Sequence, residues 1–164
     1  MLIPSMDEQT ADNSGVRVFP PAIYAAGVAI GLALDWLLPA RLVPARHLAT
    51  MRIVGAALIG AWLVLAIWAL ATFRRAGTTP NPTQPTTALA FGGPYRFTRN
   101  PMYVSMALMT IGVAMVANTW WPIVVLPPVL LMVQRAVIER EERYLEAKFG
   151  QEYLRYKTRV RRWV

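Results

Sequence analysis

Gly92-Gly93-Pro94-Tyr95-Arg96-Phe97-Thr98-Arg99-Asn100-Pro101-Met102-Tyr103 leads directly into an apolar run that ends at Ala117. A loop that only had to reach the next membrane helix would not need this mixture of glycine, proline, arginine and tyrosine. Gly92-Gly93 lets the chain turn or pass close to a ligand. Pro101 suits the first turn of a helix, where its missing N–H is not needed, and Asn100 then falls at the N-cap. The stretch reads as a turn feeding a helix start, with free backbone N–H groups and two guanidiniums nearby. Such a place can hold a polar ligand at a membrane surface.

Working outward, Met102 to Ala117 and Trp120 to Val133 are apolar and separated by the tight break Asn118-Thr119, so they form a helical hairpin. Pro127-Pro128 should kink its second arm or interrupt its hydrogen bonding. Upstream, Phe19 to Leu38 and Arg52 to Phe73 are two further spans, since about 20 residues at about 1.5 Å each cross a bilayer core. Gly55 and Gly60 give the second a small-residue face for close packing. Asp35, near the end of the first span, reads as a snorkelling or helix-pairing residue. His47 is the only histidine and has no companion ligands, so no metal site is expected. The expected architecture is an all-α integral membrane protein with four transmembrane helices followed by C-terminal cytoplasmic helices.

The composition agrees. The 164 residues are 55% hydrophobic with a net charge of +8, and the apolar content is clustered. The basic residues flank the spans, which suits anionic lipid heads and gives no nucleic-acid motif. Absence of cysteine excludes disulfides and thiolate chemistry. Residues 1–18 read as a loose tail, too acidic for a signal peptide; 19–73 hold two helices; 74–164 form the functional region. Ala76 to Ala90, rich in Thr and Pro, is an extended loop placed where a linker or a lid would lie. If 101–137 is a hairpin, the 74–100 loop and the C-terminal tail share one side. Its arginines make that side cytoplasmic, together with the N-terminus, in the inner membrane if the source is bacterial.

From Gln134 onward the chain becomes polar. Arg135, Glu139, Glu142 and Glu146 fall on one helical stripe, with Arg135–Glu139 and Glu139–Arg143 as i,i+4 pairs. Spacing alone makes this a solvated, salt-bridged helix, ended by Gly150. Tyr153, Tyr156, Val160 and Trp163, interleaved with basic residues, form a basic amphipathic helix that can lie on a membrane or fold back on the protein.

Gly93-Pro94-Tyr95-Arg96, Arg99-Asn100-Pro101-Met102-Tyr103, then Glu141-Glu142, Leu145, Phe149-Gly150, Tyr153, Tyr156 and Val160 occur in order around a hairpin. This constellation resembles the isoprenylcysteine carboxyl methyltransferase and phospholipid methyltransferase group of integral membrane enzymes, over nearly half the chain. One position departs: members often carry histidine where Asn100 stands, and asparagine cannot carry a proton charge near neutral pH.

The resemblance implies S-adenosylmethionine as methyl donor, with S-adenosylhomocysteine as product, bound without a Rossmann domain. It implies cofactor contacts from Gly93, Pro94, Tyr95, Arg96, Arg99, Asn100, Pro101, Tyr103, Glu141, Glu142, Tyr153 and Tyr156. In catalytic roles it places Glu142, which with Glu141 would meet the cofactor's ammonium or ribose, and Arg135, which would orient an anionic acceptor. The expected acceptor is lipophilic and reached from the bilayer, an isoprenylcysteine-like carboxylate first. The alternatives are a phospholipid or small amine, and a membrane scaffold without enzymatic activity. A scaffold has no need of the polar content of 92–103.

Overall fold

The computed structural model describes residues 16, 19–78 and 86–164. The protein is an all-α membrane protein. Its helices are α1 (Pro20–Leu37), α2 (Leu48–Arg75), α3 (Pro101–Ala117), α4 (Trp121–Val133), α5 (Glu139–Phe149) and α6 (Gln151–Arg159). Short 3-10 turns cover Ala45–His47 and Gly93–Arg96, and a π-turn over Gln134–Ile138 joins α4 to α5. Among the described residues, three helical stretches are long and apolar enough to cross a membrane: Pro20–Leu37, Ala45–Arg75 and Trp121–Phe149. The expected third span, Pro101–Ala117, is an apolar helix of 17 residues, just short of that length. Within Trp121–Phe149 the unbroken apolar run ends at Val133, Gln134 and Arg135 follow, and Glu139–Phe149 is dominated by charged side chains. α5 therefore lies beyond the membrane-spanning part.

Helix pairing follows the small residues. α2 packs on α3 and α1 on α4. At the first crossing, a Cβ on Gly55 would lie 2.7 Å from the Gly112 carbonyl oxygen, and one on Gly112 would lie 2.8 Å from that of Gly55. Gly55 thus meets the expectation of a close-packing face. Gly60 has open space around it instead, because it points away from α3. Gly27 against Val129 and Gly31 against Pro122 set the α1–α4 crossing. Pro127 and Pro128 lie inside α4, which continues through both to Val133.

One end of the bundle is closed by short-range polar ties. The Asn118 side chain accepts from the Val43 N–H and donates to its carbonyl, both at 3.0 Å, and Trp121 Nε1 donates to the Leu38 carbonyl at 2.6 Å. Arg41 pairs with Asp35 at 2.9 Å, so the Asp35 carboxylate is tied to the loop that follows its own helix. The opposite end gathers the 92–103 stretch and the C-terminal tail. Val16, at the end of the expected loose tail, is buried against the core there, while 1–15 and 17–18 lie outside the described residues.

Candidate functional site

Gly93 enters its turn at φ +56°, and a Cβ there would strike Thr72 Oγ1 and lie 2.9 Å from Trp68 Nε1. Glycine is required both by the conformation and by the space, so the turn sits directly on α2. Pro94 and Tyr95 are buried behind it. The Tyr95 ring meets Phe73 edge-on at 5.1 Å, and its carbonyl accepts the Tyr156 hydroxyl at 2.8 Å.

Asn100 does occupy the N-cap position of α3, but its side chain makes no cap hydrogen bond. Nδ2 donates instead to the Arg162 carbonyl at 2.9 Å, and Thr98 Oγ1 donates to the same oxygen at 3.1 Å. The C-terminal tail competes successfully for the amide because it runs alongside the loop: the Arg99 N–H donates to the Arg161 carbonyl at 2.9 Å.

Arg99 crosses under this clasp. Its Nη1 donates to the Lys157 and Val160 carbonyls at 2.9 and 3.0 Å, satisfying the last turn of α6. Its Nη2 reaches Glu142 Oε1 at 2.9 Å. Glu142 also accepts from Arg162, Nε at 3.1 Å and Nη2 at 2.7 Å. Burial opposes ionisation of Glu142, but Arg162 and Arg99 outweigh it and hold the carboxyl below its usual range.

Glu141, one residue earlier, is held differently. Its carboxylate accepts the Tyr103 hydroxyl at 3.1 and 3.3 Å. Burial raises its pKa to about 7; the Tyr103 bond works the other way, and the neighbouring charge of Glu142 adds to the rise. Two adjacent carboxylates are thus driven apart, one committed to guanidiniums and one poised near neutrality.

These groups face a pocket of about 900 Å³, counted with its open mouth. Of the residues expected at a site, Tyr95, Arg99, Asn100, Tyr103, Glu141, Glu142, Tyr153 and Tyr156 line it. Gly93, Pro94 and Pro101 lie in its framework. Arg96 and Arg135 are exposed and stand outside the lining. For Arg135 the reason is the π-turn, which breaks the helical stripe. Glu139 accordingly turns to Gln134 at 3.3 Å and Arg162 at 3.8 Å, in place of the expected i,i+4 partners.

The lining also includes residues not singled out from the sequence. Thr86 and Ala88 to Phe91 bring the Thr- and Pro-rich loop over the pocket, where the Thr86 N–H donates to the Tyr144 hydroxyl at 3.2 Å and Phe91 packs on Tyr156 at 4.8 Å. The loop's 79–85 part lies outside the described residues. Ile138 and Tyr144, with Leu145 of the motif quoted above, complete a helix face with Glu141. Their spacing of three and four residues was the signal available for finding them.

The lining offers a carboxylate for a cationic group and aromatic faces for an attached ring. Glu141 offers a carboxylate to an ammonium or sulfonium. Arg99 lines the pocket as well, but its Nε is fully buried and without a hydrogen-bond partner among the described residues, and its terminal nitrogens are taken by Glu142 and the end of α6. Tyr95, Tyr153, Tyr156, Phe73 and Phe91 supply faces for the rest. Among the described residues no cluster of His, Asp and Glu could hold a metal ion.

A protein-family model described as phospholipid methyltransferase matches residues 50–152. An uncharacterized protein of Haemophilus influenzae is 39% identical over 66 residues, covering 38% of this chain and all of that protein. No solved structure gives a significant match. The family match runs from α2 through the turn, the hairpin and the Glu141-Glu142 pair, well over half of the chain, and the chain belongs to the phospholipid methyltransferase family.

Proposed function

We propose that the protein transfers a methyl group from S-adenosylmethionine to a lipophilic acceptor at the membrane surface, with an amine-bearing lipid as the acceptor. The observation that carries this is the contrast between Glu141 and Glu142. Glu142 is saturated by Arg99 and Arg162, while among the described residues Glu141 faces the pocket with the Tyr103 hydroxyl on it.

The donor supplies an electrophilic methyl on a sulfonium. Glu141 favours the cationic donor electrostatically, most strongly where water is kept out. Tyr95, Tyr153 and Tyr156 wall the pocket and exclude water, and the 86–91 segment covers it. Positioning and desolvation then account for much of the acceleration.

The charge distribution supports an amine over a carboxylate acceptor. An anionic acceptor calls for a free cation beside the reacting atom. The Arg99 terminal nitrogens are occupied, and Arg135 lies outside the lining. An amine instead gives up a proton, and a pKa near 7 matches Glu141 to receive it. The family's description points the same way. Membrane placement follows from the apolar helices and the family. The basic residues support a cytoplasmic site with both termini on that side, in the inner membrane if the source is bacterial.

The test is transfer of labelled methyl in nanodiscs, with an amine phospholipid and a prenylated cysteine carboxylate offered in parallel. Labelling of the amine lipid, lost in Glu141→Gln, is the expected result. Labelling of the carboxylate alone overturns the acceptor assignment. Labelling of neither, by folded protein, favours the scaffold.

A further inference from the structure

Arg162 lies ten residues beyond the family match, on a tail that forms no helix. The tail nevertheless reaches the centre of the site. Val160 is extended, the Thr98 and Asn100 side chains hold the Arg162 carbonyl, and Trp163 Nε1 donates to Gln134 Oε1 at 3.1 Å. These ties use the backbone and neighbouring residues. They fix the tail without the guanidinium, which is left to grip Glu142 through two nitrogens.

We propose that Arg162 is a positioning residue for Glu141: by pairing with Glu142 it withdraws that charge from the pocket and leaves Glu141 as the carboxylate a cationic ligand meets. Glu142 has two guanidinium partners, Arg99 with its side chain 9% exposed and Arg162 with its side chain 31% exposed. Without Arg162, a buried carboxylate would keep one cation, already shared with two helix-end carbonyls. Its uncompensated charge would then act on Glu141 next door. Among the described residues, the other titratable groups lining the pocket near Glu141 are the hydroxyls of Tyr103 from α3, Tyr95 from the 3-10 turn and Tyr144 on its own helix, and the Arg99 guanidinium. The hydroxyls carry no charge near neutral pH, Arg99 is committed to Glu142, and burial sets most of the rise at Glu141, so the charge of Glu142 is the contribution that Arg162 controls.

This rests on the donor-site reading of the pocket, and two measurements separate them. The first needs no ligand: infrared titration of the Glu141 carboxyl in nanodiscs, with its band identified by its loss in Glu141→Gln. Wild type should titrate near pH 7. Arg162→Gln, which keeps every backbone tie, should move the midpoint up by about one pH unit. Arg162→Lys should fall between the two, and Glu142→Gln added to Arg162→Gln should bring the midpoint back down. An unmoved midpoint in Arg162→Gln, or a shift that persists in the double variant, overturns the assignment. Should Arg162→Gln not fold, Arg162→Lys carries the test, and a wild-type midpoint there overturns it. The second measurement is S-adenosylhomocysteine affinity at pH 7, expected to weaken about fivefold in Arg162→Gln as the ionised fraction of Glu141 falls. Failure of wild type to bind at all overturns the donor reading, while the infrared result still decides the role of Arg162.

Discussion

The Tyr103 hydroxyl donates to Glu141 Oε2 at 3.1 Å, joining the first turn of α3 to α5 across the pocket. A hydrogen bond to the charged form favours that form. Tyr103→Phe removes the donor, keeps the ring, and should raise the Glu141 pKa further. S-adenosylhomocysteine affinity at pH 7 should fall about tenfold, in line with the strength of a hydrogen bond to a charged group. Calorimetric titration of the two proteins checks this.

The pH dependence of cofactor binding has a definite sign. Glu141 has its pKa raised to about 7, and a cationic ligand prefers it ionised. Affinity should therefore be maximal above pH 7 and weaken below it, approaching tenfold per pH unit. In Glu141→Gln the dependence should vanish along with most of the affinity.

The same shift bears on stability. A carboxyl whose folded pKa lies above its unfolded value contributes a destabilisation that appears as pH rises from about 4.5 through about 7. Ligand-free Glu141→Gln should therefore unfold at a higher temperature than wild type at pH 8, by roughly 5 °C. The two should converge toward pH 5. Thermal unfolding in one detergent at both pH values measures it.

Two glycines of α2 make a matched pair for the packing argument. Gly55→Val forces a side chain against the Gly112 carbonyl, and overpacking of this kind costs about 1–3 kcal/mol. Gly60→Val meets no neighbouring atom within 4 Å and should leave the unfolding temperature unchanged.

Gly93→Ala combines a positive φ with a collision against Thr72 and Trp68. It should cost about 1–3 kcal/mol and displace Tyr95, weakening cofactor binding as well as folding. The substitution thus differs from Gly55→Val, which lowers stability at a distance from the pocket.

Most of the fold was legible because it depends on local pattern. The four apolar runs, the break at Asn118-Thr119 and the turn at Gly150 each correspond to an element boundary within a few residues. Much of the pocket was legible as well, since the tyrosines, Arg99 and the glutamate pair stood out as polar or aromatic groups beside a membrane span. What was not legible depends on partners far apart in the chain. Asn100 has the position of an N-cap, yet its amide bonds to a carbonyl 62 residues away. Arg135 has the right spacing for the acidic stripe, yet a π-turn of five residues rotates it off the stripe. The two glutamates look equivalent in sequence, and they are separated by distant partners: Arg99 and the returning Arg162 on Glu142, Tyr103 on Glu141.

The central claim is that this pocket holds an S-adenosylmethionine-type cofactor against Glu141. Calorimetric titration of the folded protein in nanodiscs with S-adenosylhomocysteine tests it most directly. Saturable binding at one site per chain, abolished or severely weakened by Glu141→Gln and unchanged within about twofold by Arg135→Ala, is the predicted result. Absence of saturable binding to protein shown to be folded, or full affinity in Glu141→Gln, would contradict it.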